Sequence, residues 1–270
     1  MESTGQSISD RDPGAPRRSL RVACKSPGVP EIFRSIQGEG RHVGRLRTFL
    51  RLSGCNLQCS WCDTPYTWNW EGTYWPDIDG APDPLPKFRQ DNEMVVLTVD
   101  DIAARVLALP AEGLVITGGE PLVQKRGLLA LISRLSAARQ ELLIEIETNG
   151  TIAPSADLAA AVDLFMVSPK LDHARNRSDS AIRADAMTSF ASMPNAMFKF
   201  VAGCEADVVE AAELARRFGI AASRVYVMPL GTDSAAIVRT GASLIGAVTA
   251  HGFSYSDRLH IHLFGEKRAT

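Results

Sequence analysis

No apolar run in this chain approaches the roughly 20 residues that a membrane-crossing helix needs. The polar N-terminus also lacks the apolar core of a signal peptide. The expected setting is therefore the cytosol, with no membrane partner. Neither sign of charge is in excess: 29 Lys and Arg against 31 Asp and Glu leave a net charge of −2. A basic field that would gather nucleic acid is lacking, so no nucleic-acid partner is expected. Cysteine is sparse, at five residues: Cys24, Cys55, Cys59, Cys62 and Cys204. An odd count in a chain of this kind argues against a disulfide framework. No internal repeat is visible.

What is present is an ordinary globular mixture of 270 residues, 45% hydrophobic and 22% charged. Residues 1–25 are rich in Ser, Arg, Asp, Gly and Pro and lack periodicity, so they read as a disordered, dispensable tail. Residues 26–270 read as one domain. Candidate strands are 46–52, 114–117, 142–147, 164–168, 197–201, 225–228 and 259–264. Helical periods cover 100–109, 124–139, 205–218 and 234–251, the first after Thr98 as N-cap with Asp101 three residues on. The stretch 70–93, rich in Pro, Asp and Trp, reads as an irregular excursion. Strands separated by helices imply βαβ units and a parallel sheet. About six such units make an α/β fold of incomplete, distorted (β/α)6 barrel type.

Ligands in parallel α/β folds gather at the carboxyl ends of the strands. The unusual polar motifs sit there: Cys55 after one strand, then Gly118-Gly119-Glu120-Pro121, Glu147-Thr148-Asn149-Gly150 and Ser168-Pro169-Lys170. Cys55, Cys59 and Cys62 form a C-x3-C-x2-C loop. Thiolates are soft ligands that suit iron, and three of them on a [4Fe–4S] cluster leave one iron open to an exogenous ligand. The alternative is structural zinc, which takes four protein ligands, commonly as two pairs. No second C-x2-C pair exists, and Cys204 or His42 would have to supply the fourth ligand.

The cysteine motif followed by G-G-E-P resembles the radical S-adenosylmethionine (SAM) superfamily. Closer resemblance is carried by Glu31-Ile32-Phe33-Arg34-Ser35-Ile36-Gln37-Gly38-Glu39-Gly40, Gly44, Phe49 to Leu57, Asp63-Thr64 and Thr117 to Pro121. Glu147 to Gly150, Val167 to Lys170 and the end from Leu259 to Gly265 continue it. Together these are similar to the 7-carboxy-7-deazaguanine synthase family, from about Glu31 to the C-terminus. The resemblance implies a radical SAM barrel and three cofactors: a [4Fe–4S] cluster, SAM and Mg2+. It implies conversion of 6-carboxy-5,6,7,8-tetrahydropterin to 7-carboxy-7-deazaguanine with loss of ammonia. A 5′-deoxyadenosyl radical takes the hydrogen at C6, the ring contracts and SAM is regenerated. A flavodoxin-type reductant and a homodimer are implied as well.

The resemblance also implies roles. Ile36, Gln37, Gly38 and Glu39 match the segment that reads the pterin edge, where an amide, a carboxylate and backbone groups meet its donors and acceptors. Arg51 matches the substrate-carboxylate ligand, for which a guanidinium fork is suited. Thr117 matches another substrate contact, and Thr270 a terminal residue that offers its carboxylate to the substrate. SAM contacts map to Trp61, Asp63, Gly119, Glu120, Ser168, Pro169 and Lys170, with Met228 in a later loop. Thr64 matches the Mg2+ ligand. The radical is carried by SAM, so no side chain is assigned as catalytic. The chain's end departs from the pattern: His260 and His262, on an expected strand, would share one face as core, interface or substrate residues. Rival readings are a glycyl-radical-enzyme activase, which has the same cysteine spacing, and a zinc-stabilised RNA-binding module.

Overall fold

The computed structural model describes residues 19–81, 84–176 and 178–270. Among the described residues eleven strands form one sheet: β1 Ser19–Ser26, β2 Val29–Pro30, β3 Ile32–Ile36, β4 Leu46–Leu52, β5 Met94–Thr98 and β6 Gly113–Gly118, then β7 Leu143–Thr148, β8 Leu164–Val167, β9 Ala196–Ala202, β10 Val225–Pro229 and β11 Ser254–Tyr255. Helices α1 Val99–Leu107, α2 Lys125–Ala138, α3 Ala156–Ala161, α4 Ala184–Ser192, α5 Glu205–Arg217 and α6 Ser234–Ala250 fall between the parallel strands. The last helix, α7, is Leu259–Phe264. Strands β4, β6, β7, β8, β9, β10 and β11 pair in parallel in that order. Beyond β4 the sheet turns antiparallel, with β1 and β3 on β4 and β5 on β1. This is the expected incomplete barrel.

The strand period of two sorts side chains to two faces. Leu50, Leu52, Leu114, Ile116, Ile144, Ile146, Phe165, Val167, Phe198 and Phe200 join one buried cluster with the helices. Helix α2 supplies Leu128, Leu131, Ile132 and Leu135, an i, i+3, i+4, i+7 stripe. The alternate positions Phe49, Arg51, Thr117, Glu147, Met166, Lys199 and Val201 face the barrel interior and line a cavity. Thr98 caps α1 as expected, accepting the Asp101 amide at 3.1 Å.

Two expectations need correction. The disordered tail was placed over residues 1–25, but Ser19–Ser26 is a strand; residues 1–18 lie outside the described residues. Leu20, Val22 and Cys24 alternate inward, and β5 pairs along Ser19 to Ala23. The barrel domain therefore begins no later than Ser19. The segment 259–264 is a helix, not a strand. Only Ile261 within it is buried, and the amides of Ile261 and Gly265 bond locally, to the carbonyls of Arg258 and Ile261. Gly265 at φ 69° ends it, its amide returning to the Ile261 carbonyl at 3.0 Å.

Phe198 is fully buried between the sheet and the helices. Phe198→Ala is expected to lower unfolding stability by about 3–5 kcal/mol. Denaturant unfolding of the metal-free chain measures this, and an unchanged midpoint would place the helix-facing core elsewhere.

Candidate active site at the carboxyl ends of the strands

The loop after β4 carries Cys55, Cys59 and Cys62, and all three line the cavity at the strands' carboxyl ends. Backbone packing holds this loop against G-G-E-P. Gly119 donates to the Leu52 carbonyl at 3.1 Å and Glu120 to that of Gly54 at 2.9 Å. A Cβ on Gly118, at φ +141°, would sit 2.1 Å from the Leu52 oxygen. The two glycines thus serve first to let two backbones touch. Glu120 is buried behind the cavity wall, where its carboxylate accepts from the Leu122 and Asn149 amides and the Thr148 hydroxyl. Burial raises its pKa and these three bonds oppose the rise. It braces one motif against the next; it does not line the cavity. Pro169 is likewise buried and is not part of the lining.

Each of the three sulfurs receives a donor from the protein. The Asn176 amide nitrogen lies 3.1 Å from Cys59 Sγ, the Trp68 indole N–H 3.2 Å from Cys62 Sγ, and the Leu57 amide 3.5 Å from Cys55 Sγ. Asn176 also accepts from the Gln58 amide at 2.9 Å, so one side chain folds the loop and faces a sulfur. Burial pushes all three thiols up, Cys62 to about 12, with Asp63 and Cys59 adding to its rise. Among the described residues no three His, Cys, Asp or Glu side chains converge where a single metal ion would sit. A cubane spreads its ligands over separate corners, and three thiols spaced around a cavity wall fit that larger group. The proposed fourth zinc ligands lie elsewhere: His42 is bound to Glu145 at 2.8 Å, and Cys204 is exposed at the start of α5.

On the opposite wall stands the loop after β3. Gln37 is buried, its Oε1 accepting the Gly38 amide at 2.9 Å while Nε2 faces Glu145 and Glu147 at 3.5 and 3.4 Å. Glu39 meets Lys199 in an ion pair and the Arg258 Nε at 3.1 Å, with His260 at 3.8 Å. Burial alone would raise the Glu39 pKa, but Lys199, Arg258 and His260 outweigh it and hold the carboxyl well below the usual range. Burial keeps the His260 pKa low, with Glu39 pulling the other way. Arg51 gives its Nε to buried Glu31 at 2.9 Å, and Tyr66 donates to the other Glu31 oxygen at 2.9 Å. Burial acts against the Arg51 charge, while Tyr66 and Glu31 more than restore it.

The cavity brings together Ile36, Gln37, Gly38, Glu39, Arg51, Thr117 and Thr270 with Trp61, Asp63, Thr64, Gly119, Ser168, Lys170 and Met228. Lys170 donates to Ser168 at 3.0 Å and lies 5.6 Å from the Trp61 ring centre. The helical form of α7 parts the two histidines. His260 enters the cavity against Gly38, where a Cβ would meet its Nδ1 at 2.1 Å, and His262 turns to Ser234 and Asp257. Sequence reasoning named Glu147 only as a motif member and missed Lys199, Arg258 and the stacking of Phe33 on Phe49, whose ring centres are 5.0 Å apart. A charge inside an apolar strand, as in Phe198-Lys199-Phe200, was the available signal.

Comparison with known proteins bears on the family and the fold. The radical SAM superfamily matches residues 50–239. The 7-carboxy-7-deazaguanine synthase of Pyrobaculum aerophilum is 36% identical over 242 residues, covering 89% of this chain and 96% of that protein. That of Rhodopirellula baltica is 33% identical over 263 residues, covering 93% and 91%. The crystal structure of QueE from Escherichia coli shares the fold, with a TM-score of 0.63 at 24% identity over 89% of this chain and 95% of that one. With its cysteine loop, its barrel and this extent of identity, the chain belongs to the 7-carboxy-7-deazaguanine synthase family of the radical SAM superfamily.

Proposed function

We propose that this chain converts 6-carboxy-5,6,7,8-tetrahydropterin to 7-carboxy-7-deazaguanine with loss of ammonia, in 7-deazapurine (queuosine-type) biosynthesis. The observation that carries this reading is one cavity lined at once by Cys55, Cys59 and Cys62 and by Glu39 and Arg51. The three cysteines would hold a [4Fe–4S] cluster, with Trp61, Asp63, Gly119, Ser168, Lys170 and Met228 around its SAM. That pair of cofactors supplies a 5′-deoxyadenosyl radical for hydrogen abstraction.

The chain's own residues bind and orient. Glu31 fixes Arg51 through Nε, which leaves the two terminal nitrogens of the fork for a substrate carboxylate. Glu39, kept ionised by its cations, can accept the guanidine-like N–H groups of a pterin. Phe33 and Phe49 offer an apolar surface in the same cavity for the bicyclic ring. Thr117 gives its hydroxyl to Glu147 at 2.8 Å, so its oxygen is held in one place beside the substrate. Thr64 lies on the same wall, its hydroxyl 3.8 Å from Cys62 Sγ, and would give Mg2+ an oxygen ligand among waters and substrate oxygens. Thr270 lies at the cavity edge as a further substrate contact. The reading takes a flavodoxin-type protein as electron donor, a cytosolic setting and a homodimer. Among the described residues no helix is long and apolar enough to cross a membrane.

The test is an anaerobic assay of the reconstituted protein with SAM, dithionite, Mg2+ and the tetrahydropterin, read by mass spectrometry. Many turnovers of 7-carboxy-7-deazaguanine without matching SAM consumption are expected. Release of 5′-deoxyadenosine with no deazaguanine would overturn the substrate assignment. Cys59→Ala is expected to abolish cluster absorbance and SAM cleavage together; retention of both would refute the ligand assignment. Arg51→Ala is expected to lower kcat/KM about a hundredfold or more while SAM still binds the reduced enzyme. An unchanged kcat/KM would remove Arg51 from the substrate site.

A further inference from the structure

Arg258 precedes α7 and is 6% exposed, yet its guanidinium reaches three separate segments. Nε donates to Glu39 Oε1 at 3.1 Å, in the loop after β3. One terminal nitrogen meets the Asp63 carboxylate, directly after Cys62. The other donates to the Gly231 carbonyl at 2.7 Å, in the loop after β10 that follows Met228. A planar fork with fixed donor directions holds three partners in one geometry, which the single point charge of a lysine cannot reproduce. Burial works against the Arg258 charge, and Glu39 and then Asp63 more than offset it. The buried cation therefore depends on its carboxylates, most of all on Glu39, since Asp63 is half exposed.

The two carboxylates belong to different segments of the cavity lining, Glu39 to the loop after β3 and Asp63 to the loop that carries the cysteines. Glu39 stands on the pterin side and Asp63 on the cluster side. We propose that Arg258 is a positioning residue that sets the distance between the substrate and the radical source. This rests on the reading of the cavity given above. Hydrogen transfer needs the reacting carbons in contact, and a misplacement of about 1 Å can cost roughly a hundredfold in rate. When the two segments separate, reductive cleavage still consumes one SAM and one electron. The 5′-deoxyadenosyl radical then takes a hydrogen atom from a C–H group of a side chain or buffer molecule. It leaves as 5′-deoxyadenosine, the radical passes to that donor, and no deazaguanine forms.

The test compares the wild-type enzyme with Arg258→Gln and Arg258→Lys. The readouts are kcat and KM, 5′-deoxyadenosine released per deazaguanine formed, the electron paramagnetic resonance of the reduced cluster with and without SAM, and pterin affinity of the cluster-free chain. The expected result for Arg258→Gln is a normal cluster signal that SAM still perturbs. Its kcat should fall about a hundredfold while KM moves far less, and 5′-deoxyadenosine per product should rise at least about tenfold. Arg258→Lys should recover part of the coupling; if the glutamine variant does not load a cluster, the lysine variant carries the test. Wild-type coupling in either variant that folds would overturn the proposal. So would a cluster signal that SAM no longer alters, or a pterin affinity that falls as steeply as kcat, since Arg258 would then act within one segment alone. A wild-type enzyme that cleaves SAM without forming deazaguanine would instead overturn the substrate reading, and shows in a separate sample.

Discussion

A parallel sheet that stops short of a full barrel has two ends that strand pairing does not join, and open edges must be covered. Here the two ends meet through loops. The segment after β11 bonds to the segment after β3: Leu259 donates to the Gly38 carbonyl at 2.9 Å, and Gly40 to the Ser256 hydroxyl at 2.7 Å. Arg258 adds its ion pair to Glu39 at the same seam. The site depends on this join. The loop after β3 carries Gln37 and Glu39, the loop after β4 carries the cysteines, and α7 carries His260 into the space between them.

The seam is polar, and its burial has consequences. Glu39, Lys199 and Arg258 lie within the protein, where an unpaired charge would cost several kcal/mol. Their mutual pairing keeps all three ionised. Glu145 and Glu147 take donors from His42, Gln37 and Thr117. The cavity is thus charged before any ligand enters, with orientation supplied by neighbouring side chains. Such preorganisation suits a reaction whose chemistry comes from cofactors, where the protein's part is to hold and align.

The helix-facing half of the fold was legible because its apolar residues obey clear periods. Strand β4 falls at 46–52 as read, and α2 and α5 agree to within a residue or two at each end. The cysteine loop was legible from spacing alone, and the loop after β3 drew notice from resemblance. Three kinds of feature escaped. Strand β1 hides in a composition that reads as disordered, because its stability comes from pairing with β5, about 75 residues away in sequence. The segment 259–264 alternates like a strand, yet it is a helix whose first amide is anchored on the Gly38 carbonyl, a partner distant in sequence. Arg258 and Asn176 act only through partners distant in sequence, so no local pattern marks them, and Lys199 shows in the sequence only as a charge within an apolar strand. Glu120 was legible as a motif member, yet its role is to brace a neighbouring loop and not to line the site.

The central claim is that one cavity presents the pterin C6 hydrogen to the SAM-derived radical, and that a hydrogen of the resulting 5′-deoxyadenosine is given back as SAM is regenerated. Substrate carrying deuterium at C6 tests it most directly, with recovered SAM analysed by mass spectrometry after several turnovers. Deuterium should pass into the 5′ position of SAM, because the methyl group of 5′-deoxyadenosine holds three hydrogens and returns any one of them. Deazaguanine formed while the recovered SAM stays unlabelled would contradict the account.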